Sequence, residues 1–486
     1  MTTAFKPGPV FVPRPVFVDR EKPVRMVAWL ILLYMVLLGL EGALRKWIAP
    51  GYSNPLLVVR DPVLILIYIM ALRARVFPVN GFVISIAVIG LLSLALTIYL
   101  FLPYFSSAWR ELSVMALYGF RANFLHMPLI FVMANVFDEE DVKRIGWWVL
   151  LAMIPMSMLM VAQFHASPDS FINGTAGLAE GAEQLATAGG KIRPAGTFSF
   201  ISGPVLYCSL AAAFSIYGIL SRATYKMWLL VPSGIALVVA VAVSGSRGCV
   251  VSVLLVLGAM VVIFVVRPSA VNQFGRTLIT VVIAALIIAR LPVFKEGIDI
   301  LSERFTTATE DAQTTLAGGM FNRVIEGFTE SLTNLDKFPA SGYGLGIGTN
   351  VGAHLLVGRP AFLLSENEWS RVLYESGPFL GMAFLLWRTI LTFRIGYLSF
   401  IALRRGATLP ILLFSCGAAV LLNGQLGQPT SLGFAVVLCG LCLASMQKSP
   451  DPAPARSAIE PVISAPQPGS LPRRSQYASR LHDPNP

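Results

Sequence analysis

The stretch "MWLLVPSGIALVVAVAVSGSRGCVVSVLLVLGAMVVIFVVR" (residues 227–267) decides the fold. It contains two apolar runs, each near the roughly 20 residues with which a helix crosses a bilayer, joined by small residues around Arg247. Similar runs recur along a chain that is 55% hydrophobic and 13% charged. Soluble domains carry about twice that charged fraction. The sequence therefore predicts an all-α polytopic membrane protein.

Length and hydropathy predict about 12 transmembrane helices. The first apolar run continues without a cleavage site, which favours a retained helix over a signal peptide. Residues 390–405 are a candidate extension of the tenth helix. The predicted spans are 26–44, 56–72, 82–103, 122–137, 146–164, 203–220, 227–244, 249–266, 277–292, 370–390, 408–423 and 429–446.

Lysines and arginines in the short loops predict the orientation, because such residues are enriched on the cytoplasmic side. With alternating spans, one side receives Arg73, Arg75, Lys143, Arg144, Arg222, Lys226, Arg267, Arg276, Arg404 and Arg405. Both termini are then cytoplasmic. The predicted organisation is a cytoplasmic segment (1–25), a transmembrane domain (26–446) and a disordered cytoplasmic tail (447–486).

Two long loops, 165–202 and 293–369, remain on the outer face in this arrangement. The second loop carries apolar residues at helical spacing from Phe321 to Leu335, which predicts an amphipathic helix. The following "SGYGLGIGTN" lacks the strand–turn–helix context of a nucleotide loop and predicts a tight backbone turn.

Other site classes receive little support from the sequence. The five cysteines all lie within apolar runs, so neither a disulfide framework nor a metal site is expected. The net charge of +11 fits basic loops, and no basic patch with interleaved aromatic residues indicates nucleic acid.

Several cations fall on the predicted outer side, against the orientation bias. They are Arg45, Lys46, Arg60, Arg110, Arg121, Arg193, Arg247 and Arg371. Each one alone is explained by snorkelling to headgroups or by a structural ion pair, and His126 is best explained as a core or interface histidine. As a group, planar guanidinium side chains at membrane depth would suit a pyrophosphate carried on a lipid. Arg247 gains from its predicted place at a helix N-terminus.

Four segments resemble motifs of the bacterial O-antigen ligase and polysaccharide polymerase superfamily. They are "RPAGTFSFISGP" (193–204), "SGSRG" (244–248), "FNRVIEGFTESLTNLDKFPASGYGLGIG" (321–348) and "ENEWSRVLYESGPFLG" (366–381). Each motif is short, but their order and spacing along the chain are similar to those of the family. The resemblance extends across most of the chain, and "GALRKW" with "RDP" also resembles exopolysaccharide polymerase-like proteins.

The resemblance implies an enzyme of the bacterial inner membrane that works on the outer, periplasmic face. It would transfer a glycan from undecaprenyl diphosphate to an acceptor hydroxyl without metal or other cofactor. Arg193, Arg247 and Arg323 would face the pyrophosphate, with Arg60 and Arg371 as further candidates from the charge pattern. A chain-length regulator is a further partner that the resemblance leaves open.

One departure concerns the catalytic base. Ligases commonly carry His-Asn where this chain has Glu366–Asn367, which favours a polymerase over a ligase. A carboxylate can accept the proton of an attacking hydroxyl, so Glu366 is the first candidate and His354 the second. Ser365 and Glu368 also match a helix-capping box, which offers a structural explanation for the acids.

Two alternatives to a polymerase stay open at this point. The first is an O-antigen-type ligase that attaches finished glycan to a lipid or another acceptor. The second is a transporter or flippase for lipid-linked glycans, which about 12 spans would also suit. No internal repeat is evident, and an outer loop of 293–369 is far longer than usual connections, which favours the enzyme.

Overall fold

The chain is a bundle of α-helices in the computed structural model, which describes residues 21–175, 192–221, 224–268, 335–359 and 361–447, with single residues 329, 331 and 333. Two five-residue π-helices follow α1 and α5, at Leu44–Ile48 and Arg121–Leu125. The α-helices of these residues are α1 (Lys22–Ala43), α2 (Ser53–Leu56), α3 (Arg60–Arg73), α4 (Gly81–Phe101), α5 (Phe105–Phe120), α6 (Leu129–Val136), α7 (Glu139–His165), α8 (Ser202–Leu220), α9 (Met227–Val243), α10 (Arg247–Val266), α11 (Asn350–Val357), α12 (Glu368–Arg404), α13 (Leu409–Asn423) and α14 (Pro429–Ala444).

Many of these helices are long and apolar enough to cross a membrane. Within the described ranges, 7 stretches meet this condition: Lys22–Ile48, Pro50–Arg73, Gly81–Leu125, Glu139–His165, Ser202–Leu220, Arg247–Val266 and Glu368–Arg404. The apolar helices α9, α13 and α14 are shorter. The prediction of an all-α membrane protein is confirmed. The total of about 12 spans stays a prediction, because residues 277–292 lie outside the described part.

The predicted span 122–137 is wrong as a single helix. The chain there forms the π-helix Arg121–Leu125, a turn, and then the short α6. Pro128 has no backbone N–H to donate, and Arg121, Asn123 and His126 turn their polar groups into the protein. Helix α5 was not predicted from the sequence, while the extension through 390–405 is confirmed by α12, which continues to Arg404.

The loops predicted on one side of the membrane contact each other at one end of the bundle. Backbone or side-chain hydrogen bonds join Asn135 to Val76, Glu139 to Gln447, Tyr225 to Lys143 and Arg267 to Gly406. We call this end the basic end, because it carries the loop cations that the structure describes: Arg73, Arg75, Lys143, Arg144, Lys226, Arg267, Arg404 and Arg405. Its cytoplasmic assignment remains a prediction from the charge bias.

The loops predicted on the other side likewise lie together, at what we call the site end. Lys46 contacts residues 196 and 198, Trp47 contacts Phe171, and Glu375 contacts Gly348. The centre of the bundle is α14, in which every residue except Leu443 is buried. Without a hydrophobic driving force between helices in lipid, close packing and polar contacts must hold such a core together.

Several predictions fall on residues outside the described part. These are the N-terminal segment up to residue 20, most of the predicted amphipathic helix, Arg323, and the tail from residue 448. The glycine-rich turn is described, and Gly342, Gly344 and Gly346 have φ angles of +70°, +111° and +89°. Residues with side chains rarely adopt this region, so the glycines are needed for the tight turn.

Candidate functional site

Cations from the first π-helix anchor the "RPAGTF" segment. The Lys46 ammonium donates to the carbonyl oxygens of Gly196 and Phe198, both at 2.8 Å. Arg45 donates to the backbone oxygen of Ser53 at 2.9 Å and to the Ser199 hydroxyl at 3.0 Å. Both cations are buried, so these contacts replace the water that they would otherwise bind. Arg45 and Lys46 therefore position the turn that precedes α8.

Arg60, a predicted pyrophosphate ligand, is fully buried and bound by protein groups. Its Nε donates to Glu41 at 3.0 Å, Nη1 to the Tyr34 hydroxyl at 3.2 Å, and Nη2 to the Pro429 carbonyl at 2.6 Å. Glu41 also lies 3.6 Å from Arg45. This geometry gives Arg60 a structural position between α1, α3 and α14.

A second ion pair, between Arg121 and Asp61, lies next to the contacts of Arg60. The Arg121 guanidinium pairs with Asp61, whose other oxygen lies 3.1 Å from Nε2 of His126. The Tyr34 hydroxyl lies 2.8 Å from Nδ1 of that ring. Because the Asp61 carboxylate can only accept, the histidine donates from Nε2, and its Nδ1 accepts from the Tyr34 hydroxyl, whose oxygen also accepts from Arg60. His126 is fully buried, which confirms the prediction of a core histidine.

The second predicted anion ligand, Arg371, belongs to another buried network. It donates two bonds to Glu368, at 2.9 and 3.0 Å, and one to Glu375 at 2.8 Å. Arg388 pairs with Glu368 at 3.0 Å, and Asn123 accepts from Arg371 at 3.0 Å. The charges of two acids and two arginines thus compensate each other in the protein interior, and their hydrogen bonds offset the cost of removing them from water.

This network fixes the glycine-rich turn to α12. Glu375 accepts from Gly348 N–H through its side chain at 3.0 Å and from Gly344 N–H through its carbonyl at 2.9 Å. The helix is interrupted at Gly377, which has a φ of +71° and leaves no room for a methyl group beside the Ala340 carbonyl. The segments "PASGYGLG" (339–346) and "ESGPFLG" (375–381) therefore form one structural unit.

An open pocket borders this unit. It measures about 320 Å³ including its mouth, and its enclosed part is about 20 Å³. An enclosed space of that size holds about one water molecule. Its lining comprises Gly348, Thr349, Asn350, Phe362, Ser365, Glu366, Glu368, Arg371, Gln425, Gly427 and Gln428.

The two candidate bases occupy different positions. Glu366 is exposed and lines the pocket, directly before α12. His354 lies half-buried in α11, does not line the pocket, and has a buried Nδ1 without a hydrogen-bond partner in the described residues. The predicted capping box is wrong, because Asn367 caps α12 by accepting from Trp369 N–H, and Glu368 pairs with Arg371 instead.

Arg247 and Arg193 differ from the paired arginines. Arg247 is the first residue of α10, is half-buried, and makes no hydrogen bond or ion pair among the described residues. Arg193 is also half-buried, and its Nε is buried without a partner among those residues. Arg323 lies outside the described part of the chain.

Three of the four family-like segments come together at the site end around residues 424–434, the third through Gly348, which lines the pocket with Gln425 and Gly427. The 193–204 segment, which leads into α8, contacts this region through Phe198, whose ring centroid lies 5.7 Å from that of Phe434. The 366–381 segment, which begins α12, contacts it through Glu368, whose carboxylate accepts from Leu426 N–H at 3.2 Å. The "SGSRG" segment starts α10, which packs on α8 through a hydrogen bond from Ser252 to the Val205 carbonyl.

Sequence reasoning missed the partners of these arginines. The spacing of Glu368, Arg371 and Glu375 by three and four residues is a visible helical pattern and could have revealed their pairing. Asn123 and Arg388 had no such signal, because only the folded chain brings them together. No protein-family model matches the chain, and no curated protein matches it either.

Proposed function

We propose that the chain is a membrane glycosyltransferase that extends a polysaccharide. It transfers a glycan from undecaprenyl diphosphate to an acceptor sugar hydroxyl on the periplasmic face of the bacterial inner membrane. The observation that supports this most is that three family-like segments, far apart in sequence, come together around residues 424–434, while the fourth begins the helix that packs on α8.

The proposed roles divide the site into two parts. Arg247 and Arg193 bind the pyrophosphate, because their guanidinium groups are not neutralised by acids in the described residues. Arg60 and Arg371 are left out of this set, since their bonds to Glu41, Glu368 and Glu375 already occupy them. They support the fold around the site instead.

The reaction needs one bond to form and one to break. The acceptor oxygen attacks the anomeric carbon, and the bond from that carbon to the phosphate oxygen breaks. Glu366 takes the proton of the attacking hydroxyl, and the arginines stabilise the charge that develops on the departing pyrophosphate.

The experiment is the glycan phenotype of a strain that lacks the protein. Single lipid-linked repeats that accumulate on the periplasmic face would support a polymerase. Full-length polymer that stays unattached would replace it by a ligase, and repeats retained on the cytoplasmic face would replace it by a flippase. Complementation with the intact gene is the control.

A further inference from the structure

The pocket before α12 is lined by side chains that differ in kind from the arginines. Asn350, Gln425 and Gln428 contribute amides, Glu366 a carboxylate, and Phe362 an aromatic ring. Amides both donate to and accept from hydroxyl groups, a carboxylate accepts from them, and an aromatic face suits the apolar face of a sugar ring. Among uncharged ligands, a carbohydrate matches this combination.

The two glutamines are held in place by a chain of hydrogen bonds. Gln425 donates to the Glu366 carbonyl at 3.0 Å, and Gln428 donates to the Gln425 side-chain oxygen at 2.7 Å. Ser431 donates to the Gln428 oxygen at 3.5 Å. Each glutamine amide keeps one further N–H for a ligand, and its restrained position lowers the entropic cost of binding.

The charge of the lining excludes a pyrophosphate from this pocket. Arg371 is its cation, and Glu368 compensates that cation within the protein. Glu366 is left as an exposed negative charge, which would repel an anion. Neither Arg193 nor Arg247 lines the pocket.

We propose that the acceptor sugar lies across the open mouth of this pocket, on Asn350, Phe362, Gln425 and Gln428, and so presents a hydroxyl group to Glu366. The inference rests on the proposed function and adds the place and chemistry of the acceptor. Phe362 is 52% exposed and supplies the platform on which the ring stacks. The open mouth lets the rest of a growing chain extend outside.

The test measures sugar binding without a donor. The full-length protein in detergent micelles is titrated with neutral oligosaccharides of hexoses, N-acetylhexosamines and deoxyhexoses, and binding is followed by saturation-transfer difference NMR. We expect at least one to bind. Phe362→Ala and Gln428→Leu should each raise its Kd about five- to tenfold, the size expected for a lost stacking contact or hydrogen bond.

Phe171→Ala is the matched control, because Phe171 is 76% exposed and does not line the pocket. Its Kd should equal that of the wild type. Binding of no oligosaccharide, equal Kd values for all variants, or displacement of the sugar by inorganic pyrophosphate would each overturn the proposal. If the variants weaken sugar binding but the deletion strain has normal glycans, the sugar site is supported and the glycosyltransferase assignment is contradicted.

Discussion

The cations at the site end fall into two groups according to their partners. Arg45, Arg60 and Arg371 are buried and bound to acids or carbonyl groups. Arg193 and Arg247 are half-buried, and the described residues offer them no acid. For single residues, the charge pattern of the sequence predicted that cations accumulate at the site end. Charge alone did not separate the two groups: the helical spacing of Glu368, Arg371 and Glu375 indicates their pairing, whereas Glu41 approaches Arg60 only in the folded chain.

Arg247→Lys tests the second group. Lysine keeps the charge but loses the planar fork, so we expect the protein level to stay normal while glycan turnover falls by about 10²–10³-fold. The measurement is polymer formation from lipid-linked repeats in membranes. Arg110→Lys is the control, since Arg110 is exposed on α5 beside Trp109. Equal activity of Arg247→Lys and wild type would make Arg247 a snorkelling anchor.

Glu366→Gln tests the base. Glutamine keeps the shape but cannot take a proton, so turnover should fall by about 10²–10⁴-fold with unchanged stability. His354→Ala should remain active. An active Glu366→Gln with an inactive His354→Ala would assign the proton to His354 instead.

Glu368→Gln should behave differently, although the two acids are only two residues apart. It removes the carboxylate between Arg371 and Arg388, and breaking such a buried pair costs about 3–5 kcal/mol of folding free energy. Thermal unfolding in detergent would show the loss. A wild-type melting temperature would mean that Arg371 and Arg388 find other compensation.

Elements with continuous apolar runs could be predicted from the sequence, because length and hydropathy suffice for them. α1, α4, α8 and α10 lie within a few residues of the predicted spans. α5 and the break at 121–128 were missed, since both are built around polar contacts with distant helices. Of the site, the turn glycines and Arg247 were predicted, whereas the pocket glutamines Gln425 and Gln428 carry no signal in the linear sequence.

Gly377→Ala tests the break in α12. Gly377 has a φ of +71° and a ψ of 170°, a region that only glycine adopts readily, and a methyl group would also collide with the Ala340 carbonyl. Gly358 has a φ of +74° and a ψ of 0° with open space around it, so Gly358→Ala carries only the milder cost of the left-handed region, roughly 1–2 kcal/mol. We expect a clearly larger drop in melting temperature for Gly377→Ala. Equal drops would show that the contact between the turn and α12 is loose.

At the scale of the whole molecule, labelling of single cysteines tests which end of the bundle faces the outside of the cell. All five native cysteines are buried, so background labelling should be low. Asp169→Cys and Tyr52→Cys at the site end should react with a membrane-impermeant maleimide in intact cells, whereas Val79→Cys at the basic end should react only after permeabilisation. The reverse pattern would place the site in the cytoplasm and contradict the proposed donor.

The short helix α9 has a consequence for the surrounding lipid. It ends at the site end, exposes apolar residues such as Trp228 and Val231, and its 17 residues are only about 26 Å long. A typical hydrocarbon core measures about 30 Å, so we expect the bilayer to thin beside α9. The headgroup of a lipid-linked substrate would then lie closer to Arg247, the first residue of α10. Turnover should therefore be faster in short-chain than in long-chain phosphatidylcholine bilayers, and equal rates in both would show that the bilayer is not thinned there.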